Sequence, residues 1–67
     1  MSNKTSQTKS TIYLERKSGR EFLLGAASTE EALTHAREYE ADPQVICTVV
    51  TEYDEEGNEK TIRQWER

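Results

Sequence analysis

Cysteine and histidine are the residue types in this chain that could most readily support catalysis. Cys47 is the only cysteine and His35 the only histidine. A nucleophilic cysteine needs a base within hydrogen-bonding reach, but Cys47 lies in an apolar run while His35 falls on the polar side of a predicted helix. We therefore expect Cys47 to be a small apolar filler and His35 to be solvated.

Metal and phosphate binding are not predicted either. A structural zinc site needs about four nitrogen or sulfur ligands, which one cysteine and one histidine cannot supply. The acidic segment Asp54-Glu55-Glu56-Gly57-Asn58-Glu59 lacks the ligand spacing of a calcium loop, and turn chemistry explains it. Isolated glycines do not form a phosphate loop. The sequence predicts no enzyme, no cofactor and no metal site.

The run Val45-Ile46-Cys47-Thr48-Val49-Val50 is the most informative feature of the chain. Side chains of a strand alternate between two faces, so a strand covered on one side only should alternate apolar with polar residues. This run is apolar at both odd and even positions, and the chain offers one helix to cover a sheet. We therefore expect the second face to be buried by another molecule or exposed as a docking surface.

The helix begins at a capping box. Ser28-Thr29-Glu30-Glu31 predicts Ser28 as the N-cap, with the Glu31 carboxylate returning to its amide. The helix should run to about Glu40, because Asp42-Pro43 disfavours continuation. The predicted inward residues are Ala32, Leu33, Ala36 and either Tyr39 or Glu40.

Four strands flank this helix. They are predicted at Thr11–Lys17, Arg20–Ala26, Gln44–Tyr53 and Glu59–Glu66. The expected fold is α+β, ββαββ, with a four-stranded antiparallel sheet of order 2-1-3-4 and the helix packed on one face. Residues 11–67 form a single domain, and residues 1–10 are expected to be a disordered polar leader.

The first hairpin allows two registers. If Ser18-Gly19 is a two-residue loop, Leu14 faces Leu23. If Lys17-Ser18-Gly19 is a three-residue loop, Leu14 faces Phe22, although two glutamates then lie opposite each other. We favour the second register, because burying a phenylalanine outweighs a cross-strand charge term.

The second hairpin also has two registers, which stay open. With Gly57-Asn58 at the tip, Val50 faces Trp65. With Glu55-Glu56-Gly57 as the loop, Cys47 faces Trp65 instead.

Size and charge limit the possible functions. A chain of 67 residues buries only about 60% of its unfolded surface, so small domains often rely on an oligomeric interface or a partner. The net charge of −4 is uneven: residues 1–27 carry five basic and two acidic side chains, and residues 28–67 carry four and eleven. Without an apolar stretch in residues 1–10 or a membrane span, and with an unpaired cysteine, a cytoplasmic location is expected.

Protein recognition is the best-supported function. Tyrosine and tryptophan beside arginine commonly form the energetic centre of an interface, and a dense acidic surface can bind a basic groove. The predicted partner-binding residues are Tyr13, Glu52, Tyr53, Arg63 and Trp65, together with the acidic Glu30, Glu31, Glu38, Glu55 and Glu56.

Two other functions compete with docking on a larger protein. One is a self-associating structural or regulatory module whose bare sheet face forms a twofold dimer. The other is a nucleic-acid binder, which the acidic body disfavours. Its basic residues would be Lys4, Lys9, Arg16, Lys17 and Arg20.

In layout, the chain resembles small phage-encoded and mobile-element proteins, among them some anti-CRISPR inhibitors. The segments that carry the resemblance are Ser28-Thr29-Glu30-Glu31-Ala32-Leu33 and Val49-Val50-Thr51-Glu52-Tyr53-Asp54-Glu55-Glu56-Gly57-Asn58. The resemblance implies a stoichiometric, anti-defence inhibitor that occludes a surface of a larger, nucleoprotein assembly.

Overall fold

Four antiparallel strands form one sheet, and a single helix packs on one of its faces. The computed structural model describes residues 8–67. Its elements are β1 (Ser10–Arg16), β2 (Glu21–Ala26), α1 (Thr29–Glu40), β3 (Val45–Tyr53) and β4 (Glu59–Glu66). The strands lie in the order β2-β1-β3-β4. The predicted ββαββ fold of α+β class is therefore confirmed.

The sheet starts slightly earlier than expected. Of the predicted leader, residues 1–7 lie outside the described residues. Ser10, assigned to the leader, is the first residue of β1 and is fully buried. The backbone of Lys9 already bonds to β2 on one side and to β3 on the other, at 3.0 Å in both cases. These two bonds fix the chain before Thr11 and correct the predicted boundary.

The helix begins and ends where the capping residues predict, but only half of the predicted capping box forms. The Ser28 hydroxyl accepts the backbone N–H of Glu31 at 3.1 Å, and α1 ends at Glu40. The Glu31 carboxylate was expected to accept the backbone N–H of Ser28. It lies instead 3.9 Å from Nε2 of His35. Ser28 therefore caps the helix through its own hydroxyl.

Small side chains bring α1 close to the sheet. Ala32 and Ala36 are fully buried against the central strands, and Leu33 and Tyr39 pack at the margins of the core. The largest apolar side chains that this face buries completely are Ile12, Leu14, Val45 and Val50. An alanine-lined helix buries little area of its own, so most of the core comes from the sheet.

The first hairpin has the register that packing favours. Lys17-Ser18-Gly19 forms a three-residue loop, and Leu14 lies opposite Phe22. Gly19 takes a φ of +89°, a conformation that glycine adopts without steric cost. Since neighbours along a strand point to opposite faces, this register places Leu23 on the side away from the helix.

The second hairpin begins with the longer loop. Tyr53 lies opposite Glu59, as expected for a loop at Glu55-Glu56-Gly57. The Asp54 carboxylate closes this turn by accepting the backbone N–H of Asn58 at 2.8 Å. Backbone N–H groups that donate to the Asp54 carboxylate, that of Asn58 first, lower its pKa, because they stabilise the ionised form.

A β-bulge then changes the register, which neither prediction anticipated. Val50 lies opposite Arg63, whereas Thr51 lies opposite Thr61, so Ile62 is the extra residue. Beyond the bulge, Trp65 faces Thr48 instead of the predicted partners, Val50 or Cys47. An extra residue reverses the faces that follow it. It brings Arg63 and Trp65 to the side of the sheet that α1 covers, where Ile62 packs against the core.

Two neighbouring valines test this division of the sheet. Val50 is fully buried under the helix, while Val49 is half-buried on the other face. We expect Val50→Ala to lower the free energy of unfolding by about 2 kcal/mol and Val49→Ala by about half as much or less. Urea denaturation of both variants measures the difference. Equal losses would contradict one-sided coverage.

Candidate functional site

No other described element covers the sheet face opposite α1, here called the open face. Pairing across all four strands aligns Leu23, Tyr13, Val49 and Gln64 in one transverse row, here called the apolar row. Leu23 is 71% exposed and is one of two large hydrophobic side chains exposed in the described chain. The apolar row therefore offers a hydrophobic stripe across the middle of the open face.

Carboxylates surround the apolar row. On one side, Glu21, Glu15, Cys47 and Glu66 form the next transverse row. On the other side, an uncharged row of Gly25, Thr11, Thr51 and Thr61 comes first, and Glu59 lies beyond it, opposite Tyr53. The open-face carboxylates are thus Glu15, Glu21, Glu59 and Glu66.

The basic residues of the strands lie on the other side. Arg16, Lys60 and Arg63 all share the face that α1 covers, since their cross-strand partners belong to that face. Lys9 precedes β1 and lies at the rim of the open face. Within the four strands, the open face is therefore acidic and apolar, with no cation to neutralise it.

Cys47 and Tyr13 are both protonated at neutral pH. Burial, with help from Glu66 and Glu15, raises the pKa of the Cys47 thiol. Burial also raises the pKa of Tyr13, as do the carboxylates of Glu21 and Glu15. A protonated thiol is a poor nucleophile, whereas the protonated phenol of Tyr13 donates to the Glu15 carboxylate at 3.5 Å.

A shallow groove of about 880 Å³ crosses the open face at the end where β1 begins. Its floor contains Thr11, Leu23, Gly25 and Tyr53, and acidic residues of the β3–β4 turn form part of the rim. Tyr53 is held by its hydroxyl, which donates to Glu59 at 3.2 Å. The apolar side chain of Leu23 therefore lies on one side of the groove, and Tyr53, oriented by its bond to Glu59, lies on the other.

Glu52, Arg63 and Trp65 were predicted as partner-binding residues together with the tyrosines, and they lie on the helix-covered face. The Glu52 carboxylate accepts the hydroxyl of Thr29, which ties the start of α1 to β3. The bulge carries Arg63 and Trp65 to the same side. The structure thus divides the predicted aromatic set between the two faces.

Arg63 pairs with Glu40 at the end of the helix. Nε of Arg63 donates to Oε2 of Glu40 at 3.0 Å, and Nη2 donates to Oε1. The Thr48 hydroxyl donates to Oε2 at 2.8 Å. These bonds, that of Arg63 first, lower the pKa of Glu40. A two-pronged guanidinium–carboxylate pair of this kind fixes orientation as well as charge.

Trp65 is similarly engaged within the molecule. The guanidinium of Arg67 lies 5.1 Å from its ring centroid, within the range of a cation–π contact. Arg67 also donates to the backbone carbonyls of Val45, Glu40 and Asp42, at 3.0, 2.9 and 2.9 Å. Arg67 therefore ties the end of β4 to the loop that follows α1.

The predicted acidic surface is partly assembled. β2 ends beside the start of β1 and the end of β3. The first turn of α1, with Glu30 and Glu31, therefore starts at the same end of the sheet as the β3–β4 turn, with Glu55 and Glu56. Glu38 belongs to the last turn of the helix and lies toward the opposite end.

The predicted nucleic-acid-binding residues do not form one surface. Lys9 lies where β1 begins, whereas Lys17 and Arg20 lie where it ends. Arg16 is stacked over the ring of Phe22 at 5.2 Å. Lys4 lies outside the described residues. A continuous basic surface, which duplex binding needs, is therefore not formed by the described part of the chain.

His35 is exposed on α1, where Nδ1 lies 3.3 Å from a Glu38 carboxylate oxygen. Among residues 8–67, no three or more His, Cys, Asp or Glu side chains are grouped closely enough to hold a metal ion. No helix in this part of the chain has the length and apolarity needed to cross a membrane.

Comparison of the chain with protein-family models, with curated proteins and with solved structures finds no match. Function must therefore follow from the chemistry of its own surfaces.

The sequence analysis did not predict that Leu23 and Val49 belong to the candidate site on the open face. Their positions follow from the register of β1, in which Tyr13 lies opposite both of them. The sequence contains the signal, because open-face residues of β1, β2 and β3 are all at odd positions. Recognising it requires the registers to be known first.

The Glu40–Arg63 pair gives a pH-dependent prediction. A carboxyl group with a lowered folded-state pKa contributes its full stabilisation above its ordinary value of 4.5, and loses it as the pH falls through the folded value. We expect Glu40→Gln to lower the free energy of unfolding at pH 7 by about 2 kcal/mol, with a smaller effect below pH 4.

Urea denaturation between neutral pH and about pH 3 measures this dependence. The control is Glu38→Gln, which removes an exposed carboxylate from the same helix. Equal losses of stability in the two variants across this range would overturn the assignment.

Proposed function

We propose that this protein is a non-catalytic interaction module that docks through its open face on a larger protein. One observation carries the proposal: the open face combines the apolar row with four carboxylates, while the basic side chains of the strands are on the other face. A soluble surface needs charge, but it does not need charge of one sign on one face. Segregation of this kind favours electrostatic complementarity with a partner.

The apolar row supplies the centre of the interface. Tyr13 lies between Leu23 and Val49, and Tyr53 stands at the groove nearby. Tyrosines of this kind supply much of the binding energy when a partner excludes water from them. The carboxylates around them form a polar rim, which governs association rate and specificity more than affinity.

The complementary partner has an apolar patch within a basic surface. Proteins that hold nucleic acid carry such surfaces, since phosphate binding needs lysine and arginine. An acidic module of 67 residues could occupy such a surface and exclude the nucleic acid. An anti-defence inhibitor of a nucleoprotein assembly is the specific form of the proposal, in keeping with the layout described above.

The surface that acts can be located by charge reversal. The open-face variant is Glu15→Lys/Glu66→Lys, and the variant of the β3–β4 turn is Glu55→Lys/Glu56→Lys. The helix control is Glu31→Lys/Glu38→Lys, which makes the same change in net charge on the covered side. Each chain is used to capture partners from extracts of its native host, with and without nuclease treatment.

The proposal predicts a basic protein captured in stoichiometric amount by the wild type and the helix control. With that protein purified, the open-face variant should bind about tenfold to a hundredfold more weakly, and the wild-type affinity should fall as salt is added. The turn variant should show an intermediate loss. Equal affinity of all three variants, or capture that nuclease abolishes, would contradict docking through the open face.

A further inference from the structure

The two edges of the sheet differ in how they are protected. β4 carries the charged residues Glu59, Lys60, Arg63 and Glu66 and the bulge at Ile62. Charges and bulges are the usual means by which proteins prevent an edge strand from pairing with another chain. β2 has no bulge, and its only charged residue is the first, Glu21, so the run Phe22–Ala26 is uncharged. β2 is therefore the unprotected edge.

Exposed hydrophobic side chains are confined to this edge. Phe22 is 40% exposed and Leu23 is 71% exposed, and no other large hydrophobic side chain of the described residues is classed as exposed. The two project to opposite faces, since they are neighbours in a strand. A strand added beside β2 would thus cover apolar side chains on both faces of the sheet.

The backbone of β2 is also available for pairing. In an antiparallel pair, hydrogen-bonded positions recur every second residue. Arg16 N–H donates to the carbonyl of Arg20 at 2.9 Å, so Phe22 and Leu24 follow as the positions bonded to β1. The backbone groups of the outer edge belong to Glu21, Leu23 and Gly25, and no strand among residues 8–67 pairs with them.

We propose that β2 pairs in antiparallel fashion with β2 of a second copy of this chain, around a twofold axis at Leu23. In this register Leu23 faces its own copy, Phe22 faces Leu24, and Glu21 faces Gly25. No two like charges lie opposite each other, and the strands share about six backbone hydrogen bonds. The two four-stranded sheets become one continuous sheet.

Charge complementarity selects a second copy as the occupant. The turn before β2 carries Lys17 and Arg20, and α1 begins shortly after β2 with Glu30 and Glu31. Antiparallel pairing places the start of one β2 beside the end of the other. Each basic turn therefore lies at the same end of the joined sheet as the acidic helix start of the other copy, and the twofold axis repeats this arrangement.

This dimer goes beyond the proposed function and does not depend on it. The pairing uses an edge of the sheet and leaves both open faces exposed and continuous. Dimerisation can therefore fail while docking persists, and docking can fail while the dimer persists.

A point substitution tests the edge. Leu23 and Gln64 are the two ends of the apolar row, so Leu23→Lys and Gln64→Lys place the same charge at opposite edges. Sedimentation of the full chain from about 1 µM to about 1 mM should show a concentration-dependent dimer for the wild type and for Gln64→Lys. The dimer of Leu23→Lys should have a dissociation constant at least about tenfold higher than that of the wild type.

A charge exchange tests the register. Lys17→Glu/Arg20→Glu and Glu30→Lys/Glu31→Lys should each dimerise more weakly than the wild type, because each chain repels its own copy. An equimolar mixture should recover dimers, since every contact again joins opposite charges. Circular dichroism of the separate variants confirms that each remains folded.

The control mixture replaces the second chain with Glu38→Lys/Glu66→Lys, which has the same net charge but no altered residue at the helix start. In that mixture the control chain should dimerise only with itself and leave the Lys17→Glu/Arg20→Glu chain monomeric. A wild-type chain that remains monomeric at about 1 mM, equal dissociation of the two lysine variants, or a dimer that contains the Lys17→Glu/Arg20→Glu chain in the control mixture would overturn the proposal. Binding of an extended peptide to β2 of a monomer would also overturn it, in favour of that occupant.

Discussion

One helix of twelve residues can shield only one face of a four-stranded sheet, and this constraint governs the molecule. The helix face of β3 buries Thr48 and Val50, whereas Val49, between them, faces away. Because strand side chains alternate, an apolar residue placed between two buried ones must lie on the unshielded side. The apolar row is the direct result of a central strand that is hydrophobic on both faces.

The polar side chains of the two faces have different tasks. On the covered face, Glu40 binds Arg63 and Thr48, while Arg67 stacks on Trp65 and bonds to backbone carbonyls. These groups hold the end of the helix and the end of β4 together. On the open face, no basic residue of the four strands lies beside the carboxylates of Glu21 and Glu66. The covered face therefore uses its charged side chains to hold the fold together, whereas on the open face, within residues 8–67, only Glu15 and Glu59 accept side-chain hydrogen bonds, from Tyr13, Thr51 and Tyr53.

The fold could be predicted because each element has a local signal. Ser28 caps the helix, and Gly19 permits the first turn at positive φ. The apolar pairing of Leu14 with Phe22 then selects one register. The bulge at Ile62 had no such signal, since no glycine or proline stands in β4, and without it Trp65 was placed opposite the wrong residues.

For the candidate site, the sequence offers only a set of residue types, and their role in binding stays a prediction. The sequence indicated an interaction surface made of tyrosines and carboxylates, and Tyr13 and Tyr53 do lie on the open face. The grouping of Glu30 and Glu31 with the β3–β4 turn depends on the strand order, which no local pattern contains. The separation of Lys9 from Lys17 and Arg20 likewise depends on topology, because they lie at opposite ends of β1.

One-sided coverage of β3 is tested most directly by the accessibility of its adjacent valines to a soluble paramagnetic probe. In dilute solution, methyl NMR should show strong relaxation enhancement for Val49 and Leu23 and little for Val50 and Leu14. Equal protection of Val49 and Val50 would show that both faces of the central strand are already covered in the isolated chain. The open face would then not exist as a docking surface.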